Sequence, residues 1–192
     1  MSDRVVFLAH CFLNPQAKIQ GSPDIADLSG EILKILSENR CGIIQLPCPE
    51  MLHGGLSRWG QTKYQYDSVF FRRHCENLAE TIVDQAEEYQ RHQVRLGPII
   101  GVEGSPSCGV TLTCDGPWGG ELSENDNLLN KIRDVQLVQS RGVFMEILQL
   151  SLDRRSITLD EIGIVESDPD ESLHKLQSYL SKAKLQGEKK YE

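Results

Sequence analysis

Three short apolar, β-branched runs recur along this chain, at residues 4–9, 42–46 and 98–103, and they alternate with amphipathic stretches. Each run is too short and too β-branched for a helix and reads as a buried strand. Strands alternating with helices predict a single-domain, doubly wound α/β fold of the Rossmann or flavodoxin-like kind. Its sheet would be mostly parallel, with helices on both faces and right-handed crossovers. Each run also leads into a cysteine: the first to Cys11, the second to Cys48, and the third, through Gly104-Ser105-Pro106-Ser107, to Cys108. In an open parallel sheet the carboxyl ends of the strands share one edge, and ligands bind there. The spacing therefore predicts that three thiols meet at one point, a metal or cluster site one ligand short of four.

Between the strands, Ser22-Pro23-Asp24 predicts a helix start, with Ser as N-cap and Pro at the first helical position. Ile25, Leu28, Ile32 and Ile35 continue it to about Asn39. Residues 49–67 are Gly-rich and aromatic without a clear period, the profile of a loop that is either functional or disordered. A long helix is expected over 68–93, with Phe71, Cys75, Leu78, Ile82, Ala86 and Tyr89 on one stripe. Another is expected over 123–139, where Leu128, Leu129, Ile132, Val135 and Leu137 are apolar. Residues 142–152 fit strand and helix equally. Residues 162–165 read as a late edge strand and 169–182 as a terminal helix. The expected division is one domain over 1–185 and a disordered tail over 186–192.

A chain of 192 residues can bury one sizeable core. Its net charge of −8 disfavours a nucleic-acid surface, which needs a clustered basic patch. No stretch reaches the roughly 18 apolar residues of a membrane span. The chain opens on a strand-like run without a basic start and cleavage site, so a cytoplasmic location is expected. In a reducing compartment, six cysteines point to metal or catalysis before disulfides. Cys41 precedes its strand and belongs at the opposite sheet edge, and Cys75 lies on the apolar helix stripe. Cys114, six residues after Cys108, is the rival for a fourth ligand.

The neighbours of the three thiols favour chemistry. Two prolines stiffen Pro47-Cys48-Pro49-Glu50. In Ser105-Pro106-Ser107-Cys108-Gly109, amides and hydroxyls can donate to a thiolate or to a cluster sulfide. Thiolates suit both zinc and iron–sulfur clusters. His10 and His53 are either extra ligands or acids, or simply hydrogen-bonding neighbours. Lys18, Arg58, Trp59, Tyr64 and Tyr66 form either a substrate wall, with an aromatic to stack on a heterocycle, or an exposed loop of amphipathic side chains. Residues 115–120 read as a turn or lid rather than a phosphate loop.

Taken together, a strand ending in Cys11, Pro47-Cys48-Pro49-Glu50 with Gly54-Gly55-Leu56, and Ser105-Pro106-Ser107-Cys108-Gly109 resemble the DUF523 family, which includes the thiouracil desulfidases (TudS). The resemblance spans roughly residues 5–150, and Gly142-Val143 through Glu146 is similar to the family's late Gly-Val…Glu segment. It implies a [4Fe-4S] cluster on Cys11, Cys48 and Cys108, with the fourth iron open to a thiocarbonyl sulfur. It also implies Glu50 as acid/base for water and substrate protons, Ser105 as a group holding substrate or a leaving proton, and a small thiolated molecule as substrate. The chain departs from the family pattern at Phe12-Leu13-Asn14-Pro15 and at Ser57-Arg58-Trp59, both segments that would border the substrate. The resemblance therefore carries the cluster further than it carries thiouracil. Three other readings stand beside it. One is a zinc or structural metal protein completed by Cys114 or a histidine. Another is a metal-free thiol enzyme with Cys108 as nucleophile and Glu50 or His53 as partner. The last is a metabolite-binding module.

Overall fold

The computed structural model describes residues 4–121, 123 and 126–188, the last six of them as backbone only. Four parallel strands form the central sheet: β1 (Arg4–Leu8), β2 (Cys41–Gln45), β3 (Leu96–Val102) and β6 (Glu161–Ile164). Their order is β2-β1-β3-β6, with β6 at one edge. Helices cover both faces, and the alternation along the strands shows why. Val5 and Phe7 of β1 and Ile99 of β3 pack on one side with residues of α4 (Val69–Arg91) and α6 (Val143–Arg154). Val6 and Leu8, with Ile100 and Val102, pack on the other with α1 (Ala26–Glu38) and α7 (Pro169–Glu188). Both sides of each central strand are buried, which is why these runs are apolar throughout rather than alternating.

Pro98 lies inside β3, where its missing N–H would cost a ladder bond. The β1–β3 register shifts between Val5 and Phe7, so an irregularity absorbs the proline.

The sheet order β2-β1-β3-β6 reverses direction between β1 and β3, and such a switch point opens a crevice at the carboxyl ends. Cys11 follows one of these two strands and Cys108 the other. Backbone pairing carries on past the strand ends: Ala9 N–H donates to Ile100 O at 2.9 Å and Leu46 N–H to Leu8 O at 2.9 Å. The cysteine-bearing turns thus start from fixed points.

The structure corrects the expected elements in three places. Helix α1 starts at Ala26 with Ile25 as N-cap, not at Ser22-Pro23. Asp24 instead accepts from Ala26 N–H through Oδ1 at 2.9 Å. Residues 49–67 hold two short helices, α2 (Pro49–Gly54) and α3 (Lys63–Tyr66). Thr62 and Gln65 close α3 with a capping box. Of residues 123–139, 124 and 125 lie outside the described residues, and the others are not one helix. They hold α5 (Leu128–Arg133) and β5 (Gln136–Gln139), and β5 pairs antiparallel with β4 (Leu112–Asp115). Of residues 142–152, Gly142 is the extended N-cap and the rest are helix, within α6. The terminal helix α7 passes the expected tail boundary, and residues 189–192 lie outside the described residues. No helix among the described residues is long and apolar enough to cross a membrane.

Candidate active site at the carboxyl edge of the sheet

Cys11 sits in a 3₁₀ turn (His10–Phe12) directly after β1, anchored by the fully buried Phe12. Cys48 is the N-cap of α2, and its sulfur accepts from Met51 N–H at 3.4 Å. Pro49 at the first helical position needs no hydrogen bond and sets the backbone for the turn. Cys108 is buried in the turn after β3, where its N–H donates to Ser105 Oγ at 3.0 Å.

These three thiols feel one another. Burial pushes the Cys11 thiol up to about 12, and the Glu166 and Cys48 charges add to it. Cys108 is pushed well above its ordinary value by burial, and then by Glu50, Cys11 and Cys48. Cys48 is raised mainly by burial, against the hydrogen bond from Met51. Three desolvated thiols crowded together resist ionisation unless a positive charge joins them. Among the described residues, no group of three or more His, Cys, Asp or Glu side chains is arranged to hold a metal ion as it stands.

The Cys108 turn has no room to move. Val102 N–H donates to Cys108 O at 3.0 Å, and the first amides of α6 reach over the turn: Val143 to Pro106 O at 3.0 Å and Phe144 to Ser107 O at 3.0 Å. A Cβ on Gly142 would stand 2.6 Å from Ser107 O and 2.8 Å from Cys108 N, so only glycine lets α6 approach this closely. On the other side of the turn, a Cβ on Gly101 would stand 2.5 Å from Cys108 O.

Glu50 points into the same place from α2. Its Oε1 accepts from Ser107 Oγ at 2.6 Å and more weakly from Ser105 Oγ at 3.4 Å. Its Oε2 stands 3.5 Å from Arg58 Nε, and both side chains are largely buried. Ser107 Oγ is also 3.4 Å from Cys108 Sγ, so one hydroxyl touches both the carboxylate and a thiol. Arg58 is fixed by Gly55 O at 3.0 Å and Ala17 O at 2.8 Å, which ties together the loops after β1 and β2. Lys18 pairs with Glu166 at 2.5 Å beside Cys11, and the two charges act on that thiol in opposite directions.

Over 107 residues, 56% of this chain, the sequence is 35% identical to the uncharacterized protein MJ0003 of Methanocaldococcus jannaschii, of which the match covers 68%. The chain belongs to the MJ0003 family. No protein-family model matches it, and no solved structure does.

In this MJ0003-family chain, then, Cys11, Cys48, Cys108, Glu50 and Arg58 converge, and Ser105 serves chiefly to close the Cys108 turn. Lys18 lines a groove of ≈480 Å³ along the loop that follows Cys11, with Gln16, Ile19, Leu56 and Ser57. Trp59 does not join the thiols. It is 71% exposed and faces a separate cleft. Tyr66 is buried against Phe71 with ring centres 4.4 Å apart, and its phenol is raised by burial and then by the Glu50 charge, with Arg58 and Cys48 also acting on it, so its hydroxyl borders the site from the core side, while Tyr64 is exposed.

The remaining cysteines and histidines sort by position. Cys41 opens β2 at the far edge, and Cys75 is buried on α4. The Cys114 thiol, on β4, faces Gln61 O at 3.7 Å and is pushed up to about 11 by burial and then by the Glu50 charge, with no thiol among its causes. His53 packs edge-on to Phe71 at 5.2 Å. His10 bonds Gln45 and is lowered by burial. Sequence reasoning missed Ser107 as the main partner of Glu50 and Gly142 as the lock on the turn. A hydroxyl two residues from Ser105 in a tight turn was the available signal for the first. For the second there was none, because a close approach between distant segments leaves no local trace.

Proposed function

We propose that this protein is a [4Fe-4S]-dependent desulfidase that hydrolyses a small thiocarbonyl compound to its carbonyl product and hydrogen sulfide. The observation that carries this reading is the convergence of three thiols from three strand ends, Cys108 buried and Cys11 and Cys48 half-buried, on one carboxylate, Glu50, itself held by Ser107 and Arg58. Three soft donors fit a cluster with one iron left to substrate. A cluster also spreads its thiolates over separate irons, a looser demand than ligands closing on a single ion. The resemblance of Cys-Pro-Glu and Ser-Pro-Ser-Cys-Gly to the DUF523 family supports the same assignment, with Cys11, Cys48 and Cys108 as ligands.

The cluster, when bound, supplies a Lewis-acidic iron for the substrate's sulfur. The rest of the work falls to the protein. The reaction exchanges C=S for C=O: water adds its oxygen to carbon, its two protons leave with sulfur as H2S, and no electron is gained or lost. Glu50 takes the proton from water and returns it toward the departing sulfur. Arg58 keeps the Glu50 carboxylate turned toward the thiols, and the Ser107 hydroxyl fixes Oε1. The Met51 amide and the Ser107 hydroxyl are already directed at Cys48 and Cys108 sulfur, the kind of hydrogen bonding that tunes a cluster. A small neutral compound in the cytoplasm is the substrate setting this reading assumes.

The test is to purify the protein without oxygen, assay iron, acid-labile sulfide and zinc, record the visible spectrum, and follow sulfide release from 2-thiouracil and related thioamides. About four irons and four sulfides per chain with sulfide release is the expected result. One zinc per chain, or no metal after reconstitution, overturns it. Glu50→Gln is expected to retain the iron and lose roughly 10²–10⁴-fold in turnover.

A further inference from the structure

The chain has two tryptophans, and both face the same cleft. Trp59 comes from the segment after β2 and Trp118 from the turn-rich stretch after β4. The other lining residues are Gln61, Gln65, Gly119 and Gly120. The space is ≈180 Å³, below the roughly 300 Å³ at which drug-sized pockets begin, and it suits a single ring.

Each wall has a physical role. Indole faces favour offset stacking on another flat π-system. Gln65 is not free to swing: its Oε1 accepts from Thr62 N–H at 2.9 Å, which fixes the plane of its amide. Thr62 is buried and its hydroxyl donates to Gly116 O at 2.8 Å, tying the Trp59 segment to the Trp118 segment. Gly119 and Gly120 have φ of +139° and +101°, where a side chain is strained. At Gly119 a Cβ would also stand 3.1 Å from the Gln65 amide nitrogen. Among the described residues no lining side chain is ionisable, so none of them would neutralise a phosphate or a carboxylate.

We infer that this cleft binds a flat, uncharged heterocycle, stacked on the Trp59 and Trp118 indoles and hydrogen-bonded at its edge by the Gln61 and Gln65 carboxamides. Trp59 follows Arg58, the partner of Glu50, in the chain, so one backbone segment serves both this cleft and the separate thiol site. That the bound ring belongs to the desulfurised substrate rests on the desulfidase reading. The binding itself does not.

Because the two lining indoles are the chain's only tryptophans, intrinsic fluorescence reads this cleft directly. The purified protein is titrated with uracil, with 5,6-dihydrouracil, which keeps the amide edge but is not flat, and with orotate, which is flat but carries a carboxylate. Uracil is expected to change the emission saturably, with dihydrouracil and orotate at least about tenfold weaker. Trp118→Ala should weaken uracil roughly ten- to a hundredfold, read on Trp59, whereas Trp118→Phe stays within a few-fold of the parent. Trp59→Ala is the second variant: the side chain is 71% exposed, so its loss leaves the fold intact by circular dichroism. Equal binding of uracil and dihydrouracil, no saturable change with uracil, or Ala variants that bind like the parent would each overturn the inference. Neither metal nor turnover enters this measurement, so it can fail while the iron and sulfide assays succeed, and the reverse.

Discussion

The carboxyl edge of the parallel sheet and the excursion between β3 and α6 are built on opposite terms. At the edge, backbone packs on backbone: the Cys108 turn is enclosed by Gly101, Gly109 and Gly142, and a Cβ at any of the three would meet a main-chain atom. In the excursion, β4, α5 and β5 leave apolar side chains in the open, with Leu129 69% and Leu137 64% exposed. The first region holds chemistry in place because nothing in it can relax. The second is a two-stranded ribbon standing outside the central sheet, and such a ribbon contributes little stability alone. The contrast teaches where substitution should be felt and where it should pass unnoticed.

The largest effect separates the two sets of cysteines. Replacing Cys11, Cys48 or Cys108 singly by Ala is expected to abolish iron retention in anaerobically prepared protein. Cys41→Ala, at the opposite edge, and Cys75→Ala, in the core, should keep it. Cys114→Ala belongs with the second set, since its thiol faces Gln61 O on the excursion side. Iron loss in that variant would move Cys114 from the excursion to the edge and fill the open coordination position.

The same contrast explains what could be read in advance. The central strands were legible because both faces are buried, so apolar residues run without a break and the period leaves no ambiguity. The three thiols were legible because a parallel sheet brings its carboxyl ends to one edge whatever the loops do. Helix α1 was misplaced because Ser22-Pro23-Asp24 carries strong capping chemistry, yet Ser22 N–H closes a turn onto Ile19 O and these residues line the groove ahead of the helix instead of opening it. Residues 123–139 were misread for a physical reason. Leu128, Leu129, Ile132, Val135 and Leu137 have helical spacing, but three of them are exposed, so the pattern never reported a buried face. In α2 and α3, six and four residues long, there are too few turns for a period to show. Cys48 and the Thr62–Gln65 capping box hold them instead.

A stability effect comes next. Gly142→Val drives two methyl groups into the Ser107–Cys108 peptide, where α6 and the turn are joined by three amides. It should cost about 3 kcal/mol, the upper range of overpacking, measured as a lower urea midpoint at unchanged slope. Gly142→Ala should lie between this variant and the parent, because its single methyl meets the same atoms. A Val variant as stable as the parent would mean that α6 can withdraw from the turn, and the edge would lose its claim to rigidity.

The smallest effect is the one the excursion predicts. Leu137 is apolar, lies in β5 and pairs with Cys114, yet nearly two thirds of its surface meets solvent. Burial is what makes a leucine costly to remove, and little of this one is buried. Its Cδ2 does reach toward Gly104, where an added Cβ would stand 3.3 Å away, so the contact is with a turn rather than with the core. Leu137→Ser should therefore shift the urea midpoint by no more than about 0.5 kcal/mol equivalent, the range of ordinary surface changes. A leucine in the sheet core, such as Leu148 on α6, should cost several times as much when truncated to Ala, about 2–5 kcal/mol. If Leu137→Ser matched that loss, the excursion would be part of the cooperative core, and its exposed leucines would need a burial partner that the isolated chain does not supply.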